Sequence, residues 1–89
     1  MDKADNNTTV VYSKPNCSYC VKAKNLLKMK NIPYIEMMIG TDISVEQLME
    51  EFTINKLPAP RTAPQIIFQG KYMGGYDQLE RHLNESTGE

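Results

Sequence analysis

Thr8-Thr9-Val10-Val11-Tyr12-Ser13-Lys14-Pro15-Asn16-Cys17-Ser18-Tyr19-Cys20 is the stretch on which the fold of this 89-residue chain turns. Its first five residues are β-branched or aromatic and predict a strand. Ser13-Lys14-Pro15-Asn16 is turn chemistry. Ser18 to Lys30 then predicts a helix, with Cys20, Ala23 and Leu27 on one face and Val21 and Leu26 beside it. The chain has two cysteines, and both fall at this strand-to-helix junction. A Cys-x-x-Cys pair in that place reads as a redox-active dithiol. The first turn of a helix carries unpaired backbone N–H groups and the positive end of the macrodipole. A thiolate there is stabilised, so the pKa of Cys17 is expected to fall and Cys17 to be the attacking sulfur. Cys20 lies one helical turn inward and is expected to be less exposed. The plainer uses of a cysteine pair fit less well. A disulfide closing so short a loop restrains the unfolded chain little. Structural zinc wants four ligands, and beyond the two cysteines there is one histidine, His82, on the last predicted helix, where a surface role is expected.

Beyond the dithiol, Asn31 and Pro33 stop the first helix. Tyr34 to Ile39 predicts a second strand, apolar enough to be a buried parallel one. Ser44-x-x-Gln47 is a capping-box pattern, with Val45, Leu48, Met49 and Phe52 at helical spacing behind it. Residues 55–62 predict a loop containing Pro58 and Pro60. Gln65 to Gln69 predicts a third strand, Gly70-Lys71 a tight turn, and Lys71 to Met73 a short fourth strand. Gly74-Gly75 breaks it, and Asp77-x-x-Glu80 predicts the cap of a last helix with Tyr76, Leu79 and Leu83 on its apolar side. The order β-α-β-α-β-β-α implies an α/β domain. Two strands joined by a helix run parallel, the last two form a hairpin, and the mixed four-stranded sheet is flanked by three helices on both faces. The whole chain, 1–89, is expected to be one domain, with 1–7 and 85–89 as flexible tails.

Composition narrows the function classes. Net charge is −1 and 40% of residues are hydrophobic, enough for one small core. Bulk charge gives no pointer to nucleic acid, and no apolar run is long enough to span a membrane. The polar, acidic start lacks the pattern of a signal peptide. A cytoplasmic location is therefore expected (host cytoplasm if the chain is viral), where a close cysteine pair is more often catalytic than structural. Between Asn7 and Ile35 stand Lys14, Lys22, Lys24, Lys28 and Lys30 and no carboxylate. The plain reading is a solvated helix face whose last lysines complement the helix C-terminus. The sharper one is a positive field around Cys17 that attracts an anionic thiol substrate or an acidic partner segment.

Three motifs in order, Tyr12 to Cys20, Thr62-Ala63-Pro64 and Gly74-Gly75-Tyr76-Asp77, make the chain resemble the glutaredoxins of the thioredoxin-fold superfamily over roughly Thr8 to Leu83. The ending Gly74 to Leu79 is most similar to phage-encoded glutaredoxins that reduce ribonucleotide reductase. The resemblance implies a glutathione-dependent disulfide oxidoreductase acting on protein disulfides and glutathione mixed disulfides, with glutathione as co-substrate and a monomeric state. It implies catalytic roles for Cys17 and Cys20. It also implies a glutathione groove formed by Lys14, Tyr19, Arg61, Thr62, Ala63, Pro64, Gly75, Tyr76 and Asp77, with Pro64 as a cis-proline. Two positions depart from the family pattern. Ser18 stands where proline is commonest, and Asp77-Gln78 stands where an acidic pair is familiar. A serine at the first position sometimes accompanies a [2Fe–2S] cluster held at a dimer interface by Cys17 of each subunit and two glutathiones. A cluster carrier is therefore one alternative, and a thioredoxin-type reductant served by a reductase is another.

Overall fold

Alternation along one short strand explains why both faces of the sheet carry helices. In β1 (Val10–Ser13) successive side chains point to opposite faces. Val11 enters a core with Ala23, Leu27, Ile66, Phe68, Leu79 and Leu83. Tyr12 enters a second core with Ile43, Leu48 and Phe52. The computed structural model describes residues 8–87 and has the expected element order: β1, α1 (Ser18–Met29), β2 (Ile35–Met38), α2 (Val45–Ile54), β3 (Gln65–Phe68), β4 (Lys71–Gly74) and α3 (Tyr76–Thr87). The sheet order is β2-β1-β3-β4, with β2 parallel to β1 and the β3–β4 hairpin antiparallel. Helices α1 and α3 cover one face through the first core, and α2 covers the other through the second.

Local chemistry sets the boundaries. The face Cys20, Ala23 and Leu27 is the buried face of α1. That helix ends in a left-handed Asn31 at φ 60°, with Ile32 N–H bonded to Leu27 O at 2.9 Å and Asn31 N–H to Lys28 O at 3.0 Å. This is a Schellman stop in which asparagine takes the position glycine usually fills. The capping box of α2 is present in full: Gln47 N–H donates to Ser44 Oγ at 3.0 Å and Ser44 N–H to Gln47 Oε1 at 2.9 Å. Gln69 and Gly70, both at positive φ, form the two-residue hairpin turn.

Four expectations need correction. The second strand is shorter than Tyr34–Ile39 and is not buried: β2 is an edge strand, and Ile35 is 52% exposed. The hairpin docks on the far side of β1, so β2 has a neighbour on one side only. Asp42 covers part of its open edge, accepting Met38 N–H at 2.8 Å. In α2 only Leu48 and Phe52 are buried, while Val45 and Met49 stay exposed because no further layer lies beyond this helix. In α3, Asp77 does not cap. The helix begins at Tyr76, Asp77 sits within its first turn, and Gln78 Oε1 accepts Gly75 N–H at 3.0 Å. Residues 85–87, expected in the C-terminal tail, continue α3 as helix. Residues 1–7 and 88–89 of the expected tails lie outside the described residues.

The second core contains a titratable group with a measurable consequence. Burial, and then the Glu51 carboxylate that accepts its hydroxyl at 3.4 Å, raise the pKa of Tyr12 to about 12. The folded state therefore keeps this proton after the unfolded chain has lost it near pH ~10. The contribution is complete below the unfolded value and is lost as pH rises through the folded one. Chemical denaturation at pH 8, 10 and 11.5 should show a fall in stability above pH ~10 that Tyr12→Phe largely removes. An identical fall in that variant would assign the effect to other groups.

Candidate active site

The site is assembled where β1 runs out into α1. Asn16 takes a left-handed φ of 58°, which turns the chain sharply, and Cys17 follows in extended geometry as the N-cap of α1. An N-cap side chain normally offers an oxygen to the first-turn amides. Here a sulfur does so: Cys17 Sγ accepts Cys20 N–H at 3.2 Å. The attacking sulfur expected from the sequence thus sits on the axis of the helix dipole and accepts a backbone donor. Both features favour its anionic form over its neutral one. Cys17 and Cys20 are joined as a disulfide, with Cα atoms 5.3 Å apart. Cys17 is partly exposed, whereas Cys20 is 2% exposed on the sheet-facing side of the helix. The inward position comes from the three-residue spacing, and the burial comes from the face that Ala23 and Leu27 continue.

A second backbone segment approaches the sulfurs from the start of β3. The Ala63–Pro64 peptide is cis, and Cys17 Sγ lies 3.6 Å from Ala63 O. Pro64 is buried, and Thr62 O is held by Gln65 Nε2 at 2.7 Å. Gln65 is fixed in turn by the Tyr72 hydroxyl, which donates to its Oε1 at 2.8 Å. The loop carrying the cis bond is thereby tied to the hairpin. The third segment is the β4–α3 turn. Gly74 has φ +103°, and a side chain on Gly75 would come within 3.8 Å of Pro64 O. Glycine is needed at 74 for the backbone angle, while at 75 a Cβ would make only ordinary contacts with Pro64 O and Gln78.

Cys17, Ala63, Pro64 and Gly75 converge. Tyr19 and Tyr76 meet across the helices, with ring centroids 6.1 Å apart. Lys14 lines a cleft of about 550 Å³ together with Cys17, Cys20, Val21, Lys24 and Met38. Arg61, Thr62 and Asp77 are exposed. Of the lysine run named above as a field around Cys17, Lys22 and Lys24 also reach the site, outside the expected groove set. Lys22 Nζ stands 5.2 Å from the Tyr19 ring centroid and 6.0 Å from that of Tyr76, a cation–π contact with both. Half of this was available from the i, i+3 spacing of Tyr19 and Lys22; the Tyr76 half required the tertiary fold. Lys24 faces the cleft and pairs with Glu36 at 2.7 Å. His82 lies against Phe68, with ring centroids 5.3 Å apart, away from the sulfurs. A separate groove of about 510 Å³ under α2, lined by Tyr12, Phe52, Leu57, Ile67 and Tyr72, carries no thiol. No helix among the described residues is long and apolar enough to cross a membrane.

The arrangement supports thiol–disulfide exchange. It combines an accessible sulfur at a helix N-terminus, a buried partner within bonding reach, and the Ala63 carbonyl beside them. Comparison with known proteins agrees. Residues 9–73 match the glutaredoxin family. Glutaredoxin 1 of Rickettsia conorii is 39% identical over 79 residues, covering 89% of this chain and 74% of that protein. The solution structure of a dithiolic glutaredoxin from Trypanosoma brucei brucei superposes with a TM-score of 0.72 at 31% identity, covering 90% of this chain and 80% of that one. A buckwheat glutaredoxin–glutathione complex superposes with a TM-score of 0.67 at 27% identity, covering 91% and 73%. With its Cys17–Cys20 pair at the head of α1 in a thioredoxin-like fold, this chain belongs to the glutaredoxin family of thiol–disulfide oxidoreductases.

Proposed function

We propose that the chain is a glutathione-dependent reductase of protein–glutathione mixed disulfides and of protein disulfides, acting in a reducing compartment such as the cytoplasm. The observation that carries this reading is the position of Cys17 Sγ, which accepts Cys20 N–H at 3.2 Å and lies 3.6 Å from the carbonyl before the cis-proline. The likeness to a structure solved with glutathione bound supports the choice of thiol. In the first step the Cys17 thiolate attacks the glutathione sulfur of a mixed disulfide, and the target protein's thiolate leaves. Cys17 then carries glutathione. A second glutathione thiolate attacks that adduct, releasing glutathione disulfide and regenerating the Cys17 thiolate. For protein disulfides, Cys20 attacks the Cys17 mixed disulfide instead, closing the internal disulfide and releasing the reduced protein. The ending Gly74-Gly75-Tyr76-Asp77-Gln78-Leu79 supports ribonucleotide reductase as one such protein substrate.

In this reading Ala63 and Pro64 receive the backbone of the bound tripeptide. Tyr19 and Tyr76 form one wall, and the N–H groups of Gly75, Tyr76 and Asp77 face a carboxylate at the start of α3. Gly75 N–H already has an acceptor in Gln78, so an incoming carboxylate displaces that carboxamide or uses the next two amides. Lys14 and Arg61 contribute positive charge for the tripeptide's carboxylates. Steady-state assays with glutathione plus glutathione reductase, set against thioredoxin reductase, test the proposal directly. Turnover is expected with the first system alone, and turnover with thioredoxin reductase alone would overturn it.

Lys14→Gln and Arg61→Gln should each raise KM for a glutathionylated substrate by roughly two- to fivefold with little change in kcat, since exposed charges contribute modestly. Both effects should shrink with added salt. An unchanged KM in the double variant at low salt would remove glutathione from this groove. The cluster-carrying alternative is separable by colour. No group of three or more His, Cys, Asp and Glu side chains among the described residues comes together to hold a metal ion. A cluster held in the family's way would therefore need a second chain, glutathione and a reduced Cys17. Anaerobic purification with glutathione is expected to give a colourless monomer, and a coloured dimer would favour the cluster.

A further inference from the structure

Among the described residues, one buried side-chain oxygen or nitrogen has no hydrogen-bond partner: Ser13 Oγ, on a residue 1% exposed. The other buried polar residues are satisfied. Thr9 Oγ1 accepts Gln69 N–H at 3.1 Å, and the Gln65 carboxamide is bonded at both ends. A hydroxyl buried without a partner costs stability, and a serine retained in such a place calls for a use.

Its place in the fold supplies one. Ser13 is the last residue of β1 and shares a face with Val11, two residues earlier. Val11 packs against Ala23 and Leu27 of α1. The helix runs back over the strand, because β1 and β2 are parallel and α1 connects them. The buried α1 residue one turn nearer the helix start, beyond Ala23, is Cys20. Continued by two residues along β1 and one turn back along α1, the same packing directs Ser13 towards the Cys20 end of the helix. One residue beyond the Tyr12–Gln65 pair, Ser13 also comes level with Pro64. In the disulfide state no hydrogen bond links Ser13 Oγ to Cys20 Sγ or to any other group.

We propose that Ser13 is a positioning residue whose hydroxyl donates a hydrogen bond to the Cys20 sulfur in the dithiol state. In the disulfide, Cys20 Sγ is neutral and divalent, a weak acceptor, and the hydroxyl stays unpaired. When a reductant thiolate attacks Cys17 Sγ, the Cys17–Cys20 bond breaks and its electron pair leaves on the Cys20 sulfur, which then becomes a strong acceptor facing an available donor. With a dithiol reductant, its second thiolate next attacks its own sulfur on Cys17. A cyclic disulfide is released, the Cys17 thiolate is expelled, and two electrons and two protons have passed to the protein. The hydroxyl therefore stabilises the reduced form selectively and raises the potential of the pair. This rests on the disulfide chemistry of the family and is independent of the glutathione reading.

The test is Ser13→Ala, titrated against reduced and oxidised dithiothreitol, so that glutathione plays no part. The equilibrium constant for reduction should fall about fivefold, the worth of one ordinary hydrogen bond, which is about 20 mV more negative for a two-electron couple. Melting curves supply a second readout. The oxidised variant should melt no lower than the oxidised parent, and the reduced variant should melt below the reduced parent. Ser13→Thr, which keeps the hydroxyl, should return the potential towards the parent value. An unchanged potential in Ser13→Ala, an equal loss of stability in both redox states, or the same shift in the alanine and threonine variants would each overturn the proposal.

Discussion

Replacing Cys17 with serine is expected to leave a folded protein without reductase activity towards any substrate, a loss on the order of a thousandfold or more. Every branch of the chemistry begins with the sulfur that caps α1. A serine oxygen there is neither anionic near neutral pH nor a nucleophile towards sulfur. The variant isolates chemistry from folding, because serine is among the best N-cap residues and can accept Cys20 N–H as the sulfur does. Reduced parent and variant should therefore melt within a few degrees of one another while turnover disappears. Residual turnover at more than a few per cent would show that Cys20 can start the reaction and that the two roles have been exchanged.

Cys20→Ser should divide the activity. Reduction of a glutathionylated peptide should persist within roughly threefold of the parent, because a second glutathione resolves the Cys17 adduct without the partner cysteine. Reduction of a protein disulfide, ribonucleotide reductase included, should fall by about two orders of magnitude, because the trapped mixed disulfide has no internal thiol to release it. The burial of Cys20 gives the reason: at 2% exposure it is closed to large substrates but within bonding reach of Cys17. Mass spectrometry of the variant turned over with glutathionylated peptide should show one glutathionyl group on Cys17. Loss of both activities together would mean that the monothiol route does not operate in this chain.

Much of this was legible in the sequence because it rests on short-range rules. Cys17 and Cys20 at a strand-to-helix junction, the Cys20–Ala23–Leu27 face, the Ser44–Gln47 capping box and the Asn31 stop each depend on neighbours a few residues away, and all appear in the structure. The element order followed from these, and with it the mixed sheet. The rest depended on which element lies beside which. An apolar run such as Tyr34–Ile39 reads alike at the centre or the edge of a sheet, and only the docking of the hairpin on the far side of β1 made β2 an edge. Asp77 reads as the cap by pattern, but the helix starts at Tyr76, two residues earlier than that cap implies, and Gln78 Oε1 takes the Gly75 N–H. Spacing could pair Lys22 with Tyr19 but not with Tyr76, which arrives 57 positions later from α3. Nor could it bring Ala63 O to the sulfur, since that needs segments 46 positions apart in the chain to be packed together. The sequence by itself determined the reactive pair and the helix that activates it. The tertiary structure decided what surrounds that pair, because burial and long-range contact are properties of packed neighbours and not of local pattern.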